Sequence, residues 1–221
     1  MSLVKPLIVS ALIIFAMLAV SALAWPHIPD APVAVHFNAS GEANGYASRI
    51  MAALIMPGLS VCLTALLAVL PPLMPRGARL ERSSGPYAVV WLGLLALLMV
   101  LHAMLMARAV GIEVSVPRVA TVSAGLVLAL IGNFMGKVRY NYLFGIRTPW
   151  TLSSERVWDR THRFTGRWMV LGGLIAVVCG LALPNALEAW LPKVLIASAL
   201  IPALLGTAYS FVEDRRVEGG A

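Results

Sequence analysis

Charge is what this sequence has least of. Only 12% of its 221 residues are Asp, Glu, Lys or Arg, about half the share of an ordinary soluble domain. A chain with so few charges cannot cover a soluble surface, which excludes a typical cytosolic enzyme. Cysteine is nearly missing: Cys62 and Cys179 both sit inside long apolar runs, so a disulfide framework and zinc-ligand spacing are excluded. Acids are scarcer than bases, 10 against 17, for a formal net charge of +7. What remains is 60% hydrophobic, with a mean hydropathy of +0.85. That excludes intrinsic disorder, which needs low hydrophobicity.

A membrane-crossing helix needs about 20 mostly apolar residues. Six runs free of charged residues meet that need: Leu7–Trp25, Ile50–Leu73, Tyr87–Ala107, Val119–Met135, Trp168–Leu183 and Val194–Val212. They are too long and too uniformly apolar for barrel strands. Ala22-Leu23-Ala24 resembles a signal-peptidase site, but its run exceeds a usual signal core and follows only Lys5, so an uncleaved anchor is expected. The expected fold is an all-α integral membrane protein with six transmembrane helices.

Basic residues in the loops set the orientation. One side holds Lys5, Arg76, Arg79, Arg82, Lys137, Arg139, Arg147, Arg156, Arg160, Arg163, Arg167, Arg215 and Arg216, thirteen of the 17. The other holds Arg49, Arg108, Arg118 and Lys193. The split places both termini in the cytoplasm. It makes the lipid bilayer, with its anionic inner leaflet, the default partner and leaves no direct nucleic-acid role. Three segments are expected: 1–74, with two helices and an outer loop over 26–49; 75–136, with the third and fourth helices; and 137–221, with an inner loop over 137–167 and the last two helices.

The outer loop reads WPHIPDAPVAVHFNASGEANGYASR. Its prolines stop the first helix and hold the chain extended. Val33-Ala34-Val35 reads as a short β element, and Gly41 and Asn44-Gly45 as tight turns, giving an ordered cap. His27, Asp30, His36 and Glu42 have no metal-ligand spacing. Hydrogen bonds from His36 and Asn38 to loop backbone, and Glu42 facing Arg49 or water, are the expectation.

Over 137–168 seven aromatic residues interleave with seven bases and two acids. Pro149 drives Thr148 out of helical geometry, so Gly-Ile-Arg-Thr-Pro-Trp reads as a turn. Thr151 or Ser153 then caps a helix with Glu155 in its first turn. Val157, Thr161, Phe164 and Trp168 recur at helical spacing, which predicts a cytoplasmic amphipathic helix running into the fifth span, its rings at headgroup depth. Inside the spans His102 is the polar candidate, because an unsatisfied buried imidazole is expensive. Arg108 is expected to snorkel outward. No span contains a carboxylate, and Pro57-Gly58 and Pro202 interrupt their helices.

The two loops resemble a known family. GNFMGKVRYNYLFGIRTPWTLSSERVWDRTHRFTGRWMVLGG resembles the signature of the SdpI/YfhL family of bacterial multispanning membrane proteins. IPDAPVAVHFNASGEANGYASR is similar to the domain of unknown function that often precedes it. The resemblance implies a protein of the bacterial cytoplasmic (inner) membrane, not an enzyme, of an immunity and signalling type. Such a protein would protect against a secreted toxic peptide at its outer face and hold a cytoplasmic repressor at its inner face.

The positions that carry the family identity, and by implication partner binding, are Asn141, Gly145, Arg147, Thr148, Pro149, Trp150, Thr151, Trp158, Thr161 and His162. The outer-loop positions are His36, Asn38, Gly41, Glu42 and Gly45, with Asn44 standing where the family pattern suggests an acid. No catalytic residue, cofactor or metal is implied. The competing class is a small-solute transporter or channel, suggested by the interrupted helices and by long loops on opposite faces.

Overall fold

The computed structural model describes residues 3–73 and 80–219. Six of its helices are long and apolar enough to cross a membrane. They are α1 (Val4–Ala24), α2 (Arg49–Leu73), α3 (Ser84–Ala109), α4 (Val116–Met135), α6 (Glu155–Ala182) and α7 (Leu191–Glu218). A one-turn helix, α5 (Pro149–Ser153), precedes α6, and a two-stranded antiparallel hairpin, β1 (Val33–Phe37) and β2 (Ala43–Ala47), joins α1 to α2. Arg76 and Arg79, two of the inner-loop bases, lie outside the described residues.

Outward-facing Leu12, Phe15, Leu66, Leu181 and Leu204 are all more than half exposed, the surface a bilayer would solvate. Buried area among apolar helices gains little in lipid, so close backbone packing must hold the bundle together. Gly125 and Gly132 on α4 face Gly166 and Gly173 on α6. A Cβ added at Gly173 would stand 2.5 Å from the Gly125 carbonyl oxygen, and one at Gly166 would stand 2.6 Å from that of Gly132. The other side of α6 meets α7, where a Cβ at Gly172 would lie 2.5 Å from the Ser198 oxygen. The helix α6 is thus clamped between α4 and α7. The hairpin packs on α2 and α3, with Ile28, Val33, Ala52, Leu105 and Met106 as its core.

Helix ends depart from the expected span ends, because charge marks the edge of the bilayer while backbone hydrogen bonding continues past it. The fifth helix begins at Glu155, as the first-turn reading of that residue expects, and runs unbroken into the span, while the sixth runs on through Glu213. Carboxylates therefore lie on the membrane helices beyond the charge-free runs, Glu155 and Asp159 on α6 and Glu213 and Asp214 on α7. Pro57 and Pro202 lie inside continuous helices and are buried. Thr151 and Ser153 do not cap α6: Ser154 does, accepting from the Val157 amide, while Thr148 caps α5. Asn44-Gly45 is no turn either. Gly45 lies within β2 opposite His36, and its missing side chain leaves room for the His36 Cβ, 2.8 Å from where its own would be. The turn is supplied by Gly41 at φ +81°.

Candidate functional site

The loop between α4 and α6 folds into the junction of α6 and α7. Asn141, fully buried, closes its first turn by accepting from the amides of Leu143 at 2.8 Å and Phe144 at 3.0 Å and donating to the Arg139 carbonyl at 2.8 Å. Gly145 then takes φ +118°, a region closed to side chains, and a Cβ there would fall on His162 Nε2. The reversal delivers the Ile146 amide to His162 Nε2 at 3.0 Å. That nitrogen accepts, so the ring proton sits on Nδ1 and is donated to the Trp158 carbonyl at 2.8 Å. Trp158 is fully buried, stacks on His162 at 4.1 Å between centroids, and donates its indole N–H to the Val138 carbonyl at 2.8 Å. It is a brace of the loop.

The loop's second half is held as firmly. Thr148 and Thr151 form a reciprocal capping box around Pro149 at the first helical position. Thr148 Oγ1 also pairs with Ser210 on α7 at 3.0 Å, and Thr151 Oγ1 donates to the Ile146 carbonyl at 2.8 Å. Thr161 is buried, and its hydroxyl has no hydrogen-bond partner among the described residues. Three side chains of the set reach the surface, Pro149 among them. Arg147 is exposed and donates to the Tyr142 carbonyl at 2.7 Å, which fixes its stem and leaves further guanidinium donors outward. Trp150 is half-buried, edge-on to Phe211 at 5.1 Å.

Sequence reasoning missed Glu213. Its carboxylate is 1% exposed and pairs with Arg160, while Tyr209 donates to it at 3.2 Å and Arg216 stands 3.9 Å away. It also missed Ser83, whose Oγ accepts the Arg139 amide at 2.9 Å and ties the α2–α3 connection to the loop. Neither tie has a local signal, since Arg160 lies 53 residues from Glu213 and Arg139 lies 56 from Ser83.

At the hairpin end, Asn38 does bond loop backbone: its Oδ1 accepts from Ser40 and Glu42 amides at 2.9 and 3.0 Å. His36 instead donates from Nδ1 to Asn44 Oδ1 at 2.6 Å. Glu42 accepts from Asn38 Nδ2 at 2.8 Å rather than facing Arg49, which donates to the Trp25 carbonyl and lies 4.0 Å over its ring. Arg108 reaches past the end of α3. It donates to the Val114 carbonyl at 2.8 Å beneath the Phe37 ring. Arg118, counted in sequence as a loop charge, bonds the Gly180 and Leu183 carbonyls at 3.1 and 2.7 Å, tying α4 to the end of α6. A pocket of about 280 Å³ opens where the three hairpin-end connections meet, lined by Ser40, Gly41, Arg108, Glu113, Ser115 and Glu188. Among the described residues, no group of three or more His, Cys, Asp or Glu is placed to hold a metal.

His102 lies inside the bundle, fully buried, with Nε2 3.0 Å from both Ser21 Oγ and the Met17 carbonyl. Because Ser21 donates to the Ala53 carbonyl at 2.8 Å, this node joins α1, α2 and α3. His102 Nδ1 has no partner among the described residues.

Six apolar helices with a polar, internally bonded loop at one end define a multi-pass membrane protein. Residues 137–210 match the SdpI/YfhL protein family, and residues 12–61 match a domain of unknown function, DUF1648. The immunity protein SdpI of Bacillus subtilis (strain 168) is 28% identical over 126 residues, which is 57% of this chain and 59% of that protein. The match therefore spans less than two thirds of the relative's length. No solved structure matches the chain. Over residues 137–210 the chain is similar to the SdpI/YfhL family, and its six long apolar helices make it a multi-pass protein of the inner membrane.

Proposed function

We propose that this chain is an immunity and signal-transduction protein that protects its cell against a toxic peptide and docks a cytoplasmic repressor at the membrane. The observation that carries the reading is the division of labour in the 137–167 loop. Its buried residues pin the backbone, while Arg147 and Trp150 remain at the surface, the residue types enriched at binding hot spots. Asn141, Gly145, Thr148, Pro149, Thr151, Trp158, Thr161 and His162 then serve docking indirectly, by presenting those two. The toxic peptide is met at the hairpin end, where His36, Asn38, Gly41, Glu42 and Gly45 shape the hairpin beside the 280 Å³ pocket.

This reading requires both termini and the motif loop in the cytoplasm and the hairpin outside. It keeps the three segments 1–74, 75–136 and 137–221 as an outer sensing part, a connecting part and an inner presenting part. His102 serves the first as an interhelical clasp. Reporters fused after Arg82, within 151–156 or at the C-terminus should report cytoplasm, and reporters within 38–46 should report the outside. Trp150→Ala should insert normally and lose recruitment of the cytoplasmic partner by about 2 kcal/mol or more. Unchanged recruitment would remove the docking role.

A further inference from the structure

We infer that the outward face of α6 holds one anionic glycerophospholipid, its phosphate on Arg163 and Arg167 and its acyl chains along the apolar stripe beyond them. Arg156, Arg160, Arg163 and Arg167 recur at intervals of four, three and four and are all exposed, which sets them in one line on the helix. The line continues without a break into Leu171, Leu174, Val178 and Leu181, exposed by 48%, 49%, 61% and 70%. The opposite faces of α6 are occupied by α4 and α7 through Gly166, Gly173 and Gly172. One continuous stripe is thus cationic at the loop end and apolar along the span, and an amphiphile with an anionic head matches both parts at once.

The four arginines are not equivalent. Arg160 is committed to the buried Glu213. Arg163 is 62% exposed and touches Asp159 only at 3.8 Å, a carboxylate that Arg139 already shares at 3.3 Å. Arg167 is exposed and has no ion pair or hydrogen bond among the described residues. The Arg163 stem runs along the end of α4, where a Cβ at Gly136 would lie 3.0 Å from Arg163 Cγ. The local balance is therefore positive. Guanidinium forks take phosphate oxygens in pairs. Leu171 follows Arg167 by one turn, about 6 Å, so a phosphate held there starts its acyl chains on bare leucine. Trp168, 39% exposed, supplies the interfacial ring between the two. A zwitterionic headgroup brings its own cation to the same arginines and is disfavoured.

The inference rests on the reading of α6 as a membrane span, and its test is blind to which side the loop faces. The full chain in detergent is mixed with equal amounts of phosphatidylglycerol and phosphatidylcholine of matched chains, and adducts are counted by native mass spectrometry. The expected result is a preference for phosphatidylglycerol of about tenfold, worth about 1.4 kcal/mol. Arg163→Gln and Arg167→Gln should each remove it, with thermal unfolding unchanged because both side chains face outward. Arg156→Gln, about 10 Å beyond Arg163 along the helix, should keep it. Equal binding of the two lipids would overturn the inference. So would an equal loss on Arg156→Gln, which marks diffuse charge, or displacement of the lipid by inorganic phosphate alone, which marks a free-anion site. Each of these failures leaves the immunity reading standing, since protection is measured in cells.

Discussion

Replacing Gly145 with alanine tests whether the motif loop is locked as described. At φ +118° the new side chain forces a backbone region that L residues avoid, at a cost of about 1–3 kcal/mol. Its Cβ also falls on His162 Nε2 and comes within 3.2 Å of the Trp158 ring. The imidazole must then release the Ile146 amide, a bond of 3.0 Å, and an unmet donor in that setting costs about 1–3 kcal/mol. The two penalties share one relaxation, so they do not add in full, and the expected loss is about 3 kcal/mol. The assay is equilibrium unfolding of the full chain in mixed micelles with rising dodecyl sulfate, followed by tryptophan fluorescence. Gly85→Ala is the control, because nothing lies within 4 Å of a Cβ there. On a His162→Ala background, Gly145→Ala should cost only its backbone share. A Gly145→Ala loss below about 0.5 kcal/mol, or the same loss in both backgrounds, would refute the reasoning.

Two further substitutions probe the helix packing and the buried ion pair. Arg160→Ala leaves Glu213, 1% exposed, with Arg216 at 3.9 Å as its remaining cation, and should lower stability by about 2–4 kcal/mol. Glu213→Gln leaves Arg160 free to turn to water and should cost only about 1 kcal/mol; sulfate-unfolding curves in the reverse order would contradict the burial of that carboxylate. Gly173→Ala places a methyl 2.5 Å from the Gly125 oxygen and the Ala129 amide, so α4 and α6 must part, at about 1–3 kcal/mol. Gly58→Ala, with nothing within 4 Å, should be neutral or stabilising in the same titration.

The six helices were legible because a bilayer imposes length and polarity on every span, and no tertiary contact is needed to read them. Not all of their ends were. The sixth helix runs past its apolar stretch to Glu218, because nothing after Val212 stops it, whereas the start of the fifth at Glu155 was legible. The caps were misplaced because Thr148, Thr151, Ser153 and Ser154 all offer hydroxyls within one short stretch. The choice between them depends on Ser210, sixty-two residues away. Asn44-Gly45 carries the local signature of a turn, yet it forms a strand because the hairpin needs a residue without a side chain opposite His36. The candidate residues were named by resemblance, but their roles were not. Only packing against α6 and α7 separates the buried braces, such as Asn141 and His162, from Arg147, which faces out. Glu213 and Arg118 looked like ordinary span-end charges and became ties between helices.

The central claim is that this chain confers immunity through a rigid inner loop whose Arg147 makes a contact requiring a planar fork. The most direct measurement is survival of Bacillus subtilis deleted for its own SdpI, under the challenge against which that immunity protein protects, with this chain or its Arg147→Lys variant expressed at equal membrane levels. Lysine keeps the charge that lipid attraction needs but loses bidentate geometry. The account predicts rescue by the chain and loss of rescue by the variant. Absence of rescue by the unaltered chain would contradict the immunity function, and full rescue by Arg147→Lys would reduce Arg147 to a membrane anchor.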